Sequence, residues 1–211
     1  MIEVVTLVVG LLQANCHLIC CPESREAVIV DPGDEGERIA QTLSDLQIKP
    51  TLILNTHGHG DHIGANGFLK PHFSIPIAIH REEAHALTDT EANFSRYWGE
   101  EILSPPADVT FTEGDTFTVG NHAIHVRYTP GHSPGGSSFL VDDHLITGDA
   151  LFKMSIGRTD LPGCSLERLL KGIREKILTL PDETRIYPGH GPNTTVGEER
   201  RNNPFLQVFH E

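Results

Sequence analysis

The sequence predicts a layered α/β domain, on three observations. Short β-branched or apolar runs alternate with segments of helical spacing in both halves of the chain. The halves end on similar tetrapeptides, Thr129-Pro-Gly-His132 and Tyr187-Pro-Gly-His190, a faint echo of a duplicated unit. No Pro/Gly/Ser-rich linker or charge block divides the 211 residues, so residues 1–211 are expected to form one domain with a substantial core.

Ile2 to Val9, Asn15 to Cys20 and Ala27 to Val30 are separated by turn signals and read as sequential antiparallel strands. Asp34 and Glu37 match a capping box, and Ile39, Leu43 and Leu46 recur at helical spacing until Lys49-Pro50. Thr51 to Asn55 reads as a buried strand, Ile77 to Ile79 as another, and Arg81 to Leu87 as a helix. Between Thr88 and Asp108 the pattern weakens, and Tyr97-Trp98 is expected to anchor a loop. Val109 to Phe111, Thr116 to Val119 and Ala123 to Tyr128 are strands, and Ser137 to Val141 pairs with His144 to Thr147 across Asp142-Asp143. Leu166, Leu169, Leu170, Ile173 and Ile177 line one face of a helix starting near Ser165 and ending before Pro181. A last strand, Thr184 to Tyr187, and a short C-terminal helix with Pro204 follow.

An apolar fraction of 38% and a charged fraction of 21% are ordinary for a soluble globular protein, while a net charge of −13 makes nucleic acid a poor partner. The start Met1-Ile-Glu-Val-Val-Thr has no basic segment, and no apolar run approaches membrane-spanning length, so a cytoplasmic protein without membrane attachment is expected. Cys16, Cys20, Cys21 and Cys164 form neither a CxxC pair nor a zinc-ribbon spacing and read as reduced, mostly buried thiols.

The stretch Asn55-Thr-His-Gly-His-Gly-Asp-His-Ile-Gly64 gathers three histidines and an aspartate in a setting too rich in glycine for a helix. His57 and His59, two apart in extended chain, project to one side; Gly58 and Gly60 let the loop curl without steric cost, and Asp61 and His62 face a second ion. Three further strands also run into a candidate ligand, at His132, Asp149 and His190. Loops at one edge of layered sheets converge, so all of these are expected in one pocket. Imidazoles and carboxylates without thiolate suit zinc best and also accommodate iron or manganese. Five histidines and two aspartates are too many for one tetrahedral ion with an open position, but suit two divalent ions with a bridging carboxylate and water.

Thr56-His-Gly-His-Gly-Asp-His62, Gly131-His132, Gly148-Asp149 and Gly189-His190 resemble the metallo-β-lactamase superfamily in every metal-binding motif. Within it, Thr147-Gly-Asp-Ala-Leu-Phe152 and Asn203-Pro-Phe205 resemble the glyoxalase II branch, and Gly157-Arg-Thr-Asp160 with the Pro-Gly-His-Gly-Pro run resembles its short bacterial form. The resemblance implies a four-layer αββα sandwich. It implies His57, His59 and His132 on the first metal, Asp61, His62 and His190 on the second, and Asp149 on both. The implied activity is hydrolysis of an acyl-thiol thioester, S-lactoylglutathione being the substrate class, with Asp61 orienting the nucleophile. True β-lactamases place a cysteine or another residue at the position of Asp149, which argues against a lactamase. Full-length glyoxalase II enzymes carry a further helical region with basic residues for glutathione, whereas here Arg158 is the residue expected to hold a substrate carboxylate. Persulfide dioxygenases, which use a single iron, share the motifs and give a second enzymatic reading; a non-catalytic metal-binding module is a third.

Other polar residues read as structural. Asp31, in Val30-Asp-Pro-Gly33, reads as a turn aspartate ahead of a residue orienting a metal-bound histidine. Ser133 reads as a turn residue and His80 as a cap or surface residue; His17, His72, His85, His122, His125, His144 and His210 are expected on element surfaces without function.

Overall fold

The computed structural model describes residues 1–207. Strands β1 (Glu3–Val9), β2 (Ala14–Cys21), β3 (Glu26–Val30), β4 (Lys49–Leu54), β5 (Ile77–His80) and β6 (Val109–Phe111) lie side by side in that order as one six-stranded sheet. The first three run antiparallel and β3 to β6 are parallel. Strands β7 (Thr116–Val119), β8 (His122–Tyr128), β9 (Ser137–Val141) and β10 (His144–Gly148) belong to the second six-stranded sheet. There β10 pairs parallel with β13 (Arg185–Pro188), and β14 (Thr194–Thr195) forms the far edge. A small ribbon of β11 (Leu151–Phe152) and β12 (Ser155–Ile156) projects after β10.

The two-residue period of the strands decides which core each side chain joins. On β3, Val28 and Val30 point between the sheets, where they meet Ile124, Val126, Phe139 and Ile146 of the second sheet. Ala27 and Ile29 point the other way, under Ile39 and Leu43 of α1 (Gly36–Asp45) and Leu69 of α3 (Asn66–Phe73). On the outer face of the second sheet, Leu145 and Ile186 pack under Leu169 of α4 (Leu166–Gly172) and Val196 of α5 (Val196–Asn202). Helix, sheet, sheet, helix is the expected αββα sandwich. Cys16 and Cys20 sit in the outer core and Cys21 in the inner one, as buried free thiols.

Several local expectations are corrected. The capping box does not form: α1 begins after Glu35 in left-handed backbone, with no side-chain cap, and the Asp34 carboxylate accepts the Glu35 amide instead. Leu46 lies past the helix, and Pro50 stands inside β4. Helix α3 contains Gly67 and Pro71, which hid it from the periodicity. Arg81 to Leu87 is not an α-helix; a 3₁₀ turn covers Ala84–Thr88. Leu166 is exposed, and the helix continues as a π turn over Ile173–Ile177, which buries Ile173 and Ile177. The 88–108 segment is anchored by buried Asn93 and Ser95 rather than by its aromatics, Tyr97 being 75% exposed. His17 and His144 are buried, whereas the spacing predicts surface positions; His80 is buried too, its Nδ1 accepting Glu82 N–H at 3.3 Å as a cap does, and His210 lies outside the described residues.

Candidate metal centre

Five strand ends meet at one edge of the sandwich. β4 leads into His57, β10 into Asp149 and β13 into His190, while the Thr129–His132 turn follows β8. The fifth, β3, ends at Asp31. The two sheets are stitched together here: the Asn15 side-chain amide donates to the carbonyls of Pro188 and Gly191, both at 2.9 Å, and Asn15 N–H donates to Gly189 O.

The opening motif is partly helical, contrary to expectation. His59 is the extended residue from which the single turn α2 (Gly60–Ile63) starts, and that turn carries Asp61 and His62. Its glycines serve close approach rather than curling. A Cβ on Gly58 would stand 2.7 Å from Ala86 Cβ, and one on Gly60 2.9 Å from Ser95 Cβ. Asn55 and Asn93 hold the loop: Asn55 Nδ2 donates to His62 O, and Asn93 O accepts Gly60 N–H.

The structure gathers all seven sequence-predicted metal ligands into two adjoining groups. The nearest donor atoms of His57, His59 and His132 lie within 4.8 Å of one another, as do those of Asp61, His62 and His190. Asp149 stands between the groups, with Oδ2 3.4 Å from His132 Nε2 and Oδ1 3.5 Å from His62 Nε2. Asp61 Oδ2 lies 3.2 Å from His190 Nε2. Donors about 2.1 Å from one tetrahedral ion are separated by roughly 3.4 Å, so these spacings fit a metal. Unmet bonding demand points the same way: His57 Nε2, His62 Nε2 and Asp149 Oδ1 are buried without a hydrogen-bond partner.

Three outward ring nitrogens are committed elsewhere, which fixes those tautomers, while His59 Nδ1 faces His132 Nε2 at 3.0 Å across the site. His132 Nδ1 donates to the Arg158 carbonyl at 2.9 Å, leaving Nε2 to face the site. His62 Nδ1 donates to Asp31 Oδ2 at 3.1 Å. Thr56 Oγ1 donates to the same oxygen at 2.6 Å and accepts from His57 Nδ1 at 3.0 Å. Asp31 is therefore no plain turn residue: it is 1% exposed and holds two site histidines, one directly and one through Thr56.

Without cations the site is electrostatically divided. Burial, then neighbouring imidazoles, hold His57 and His59 well below the usual histidine range. Burial would also lower His62, but Asp61, Asp149 and Asp31 carry it up to about 10. His190 is raised against its burial by Asp61 and Asp149. Burial opposes the ionised form of Asp61, yet His62 and His190 hold its carboxyl well below the carboxylate range. The carboxylates thus draw protons onto imidazoles that a cation would otherwise engage.

Arg158 contributes through its backbone. Its guanidinium is exposed and bound bidentately by Asp160 at 2.7 and 2.8 Å. Ser133 makes the expected turn, its carbonyl accepting Gly131 N–H. Sequence reasoning missed Glu83, which is 3% exposed; Oε2 accepts Gly58 N–H at 3.0 Å and Oε1 accepts Gly135 N–H at 2.6 Å. It ties the His57–His59 loop to the turn after His132. No sequence signal distinguishes it from Glu82. Glu83→Ala is expected to cost about 3 kcal/mol of stability by orphaning two buried amides, with Glu83→Gln recovering part; urea unfolding of the metal-free chain measures both.

Two packed sheets with an imidazole and carboxylate cluster at their common edge define a metallo-hydrolase. The chain belongs to the metallo-beta-lactamase superfamily, whose family model matches residues 9–190. It is 38% identical over 198 residues to hydroxyacylglutathione hydrolase GloC of Haemophilus influenzae, covering 93% of that relative and 92% of this chain. The crystal structure of BLEG-1, a B3 metallo-beta-lactamase, superposes with a TM-score of 0.93 at 41% identity, over 97% of this chain and 99% of that one. TTHA1623, solved in a di-iron-bound form, gives a TM-score of 0.85 at 37% identity, over 96% of this chain and 100% of that one. Among the described residues, no helix is long and apolar enough to cross a membrane.

Proposed function

We propose that the protein is a binuclear metallohydrolase of acyl-thiol thioesters, of the glyoxalase II type, with S-lactoylglutathione as the reference substrate. The observation that carries this reading is Asp149, one carboxylate facing two groups of imidazoles with one oxygen buried and unpartnered. His57, His59 and His132 would hold one ion, Asp61, His62 and His190 the other, and Asp149 both. Zinc fits the nitrogen and oxygen donors best, and iron, as in TTHA1623, is the competing metal. When bound, the pair supplies a hydroxide at neutral pH and polarises the substrate carbonyl. Asp61, whose Oδ2 lies 3.2 Å from His190 Nε2, would orient the nucleophile as well as hold the second ion. Asp31 and the Arg158 carbonyl keep protons on the outward ring nitrogens, so the inward ones stay free to bind. The departing thiolate needs no strong acid, because thiols ionise at about pH 8.5 unaided.

A second reading, β-lactam hydrolysis, is favoured by the likeness to BLEG-1. One experiment covers the readings: metal quantification with initial rates on thioesters, a chromogenic β-lactam, a phosphodiester and, with oxygen uptake, a persulfide. Two equivalents of metal and thioester turnover well above the rest are expected. A single iron with oxygen uptake on the persulfide, or preference for the lactam, would replace the proposal.

A further inference from the structure

Two recesses open beside the candidate metal centre, and neither is lined by lysine or arginine. Next to His59 and His132 lies a cavity of about 230 Å³ walled by Glu83, His85, Phe94 and Tyr97. On the other flank, beside Asp61, a narrow crevice runs between Leu11, Trp98, Asp34 and Glu100. Two nearby guanidiniums are held by carboxylates, Arg158 by Asp160 and Arg96 by Glu91, which also lines the cavity, and Arg168 donates to the Tyr128 hydroxyl behind Pro134. Glu83, Asp34 and Glu100 have no cationic partner among the described residues, and the whole chain carries a net charge of −13. A carboxylate entering either recess meets like charge. An ammonium meets complementary charge and the faces of Phe94, Tyr97 or Trp98, which favour cations.

We propose that the thiol portion of the natural substrate is neutral or cationic and carries no carboxylate into these recesses. This rests on the thioesterase reading and narrows it, placing glutathione, with its two carboxylates, among the slower thiols.

Three lactoyl thioesters sharing one acyl group test it on the zinc-loaded full chain: those of thiocholine, N-acetylcysteamine and 3-mercaptopropionate. Each kcat/KM is divided by the thioester's hydroxide-catalysed rate. At low ionic strength the normalised values are expected to fall in that order, by about tenfold between the ends. Added salt should compress the range, and Glu100→Lys should narrow it. Trp98, the sole tryptophan, gives a readout independent of turnover. The methyl thioether of thiocholine should perturb its fluorescence at lower concentration than that of 3-mercaptopropionate. A flat or reversed order with turnover intact overturns this inference alone. If no thioester is hydrolysed, S-lactoylglutathione included, the thioesterase reading falls and takes the inference with it.

Discussion

Replacing Asp149 with alanine is expected to lower thioester turnover on the order of 10³-fold or more, about 4 kcal/mol of transition-state stabilisation, and to cost the chain at least one bound ion. The fold is built around this carboxylate. Gly148 turns the chain in left-handed backbone at φ 49° immediately before it, where a Cβ would lie 2.3 Å from Thr56 Oγ1. A Cβ on Gly189 would lie 2.1 Å from Asp149 Oδ1, so the facing turn is bare at the point where the carboxylate needs room. The side chain makes no short hydrogen bond that would hold the sandwich together, and Oδ1 is orphaned. The alanine variant should therefore fold: its far-ultraviolet circular dichroism and cooperative metal-free melting should persist, with the melting temperature changed only by loss of one carboxylate facing His62 and His190, and loss of activity then reports chemistry. His57→Ala should lose activity likewise, because His57 Nε2 is also buried without a partner, but it also gives up the Nδ1 bond to Thr56 Oγ1 and a buried ring, so its metal-free melting temperature should fall below the parent's. Near-normal rates in both variants, with metal content unchanged, would remove the binuclear mechanism.

Much of this site was legible because a strand announces its own end. Thr51 to Asn55, Thr184 to Tyr187 and His144 to Thr147 are short runs rich in β-branched and aromatic residues stopped by glycine-containing turns, and the donors stand just after them. What was not legible has particular causes. β2 is buried along all eight residues, since sheet neighbours, both cores and the turn before His190 cover it; the alternation that would place His17 on a surface fails there. Asp34 and Glu37 satisfy the capping pattern, but Glu35 adopts left-handed backbone and its carboxylate accepts Gly10 N–H, so the helix starts by another route. Glu83 acts across long sequence separations, on amides at positions 58 and 135, and a single sequence encodes neither distance. The four-layer order itself came through the motif resemblance; alternating strands and helices specify layers without their number.

Asp31→Asn is expected to weaken binding of the second ion by about 10- to 100-fold while leaving the fold intact. In Asp-Pro-Gly the residue looks like an ordinary turn, and its φ of 50° is a turn value; asparagine tolerates that backbone nearly as well, so the substitution isolates the side chain. The aspartate accepts three hydrogen bonds, from Thr56 N–H, Thr56 Oγ1 and His62 Nδ1. Asparagine still accepts the first through its carbonyl oxygen. Its amide, however, presents N–H where Oδ2 stood, donor against donor at His62 Nδ1. The favourable response is a shift of the ring proton to Nε2, the nitrogen that must be bare to bind metal. Thr56 Oγ1 loses its acceptor as well, which loosens the bond that sets the His57 tautomer. Asp31→Ala instead leaves the buried Thr56 N–H and His62 Nδ1–H without acceptors, at about 1–3 kcal/mol each, so it should lower stability where asparagine does not. Zinc competition against a chromophoric chelator separates the cases: the asparagine variant should recover turnover as free metal rises, with half-saturation moved 10- to 100-fold. Parental affinity in that variant would show that Asp31 merely shapes the turn.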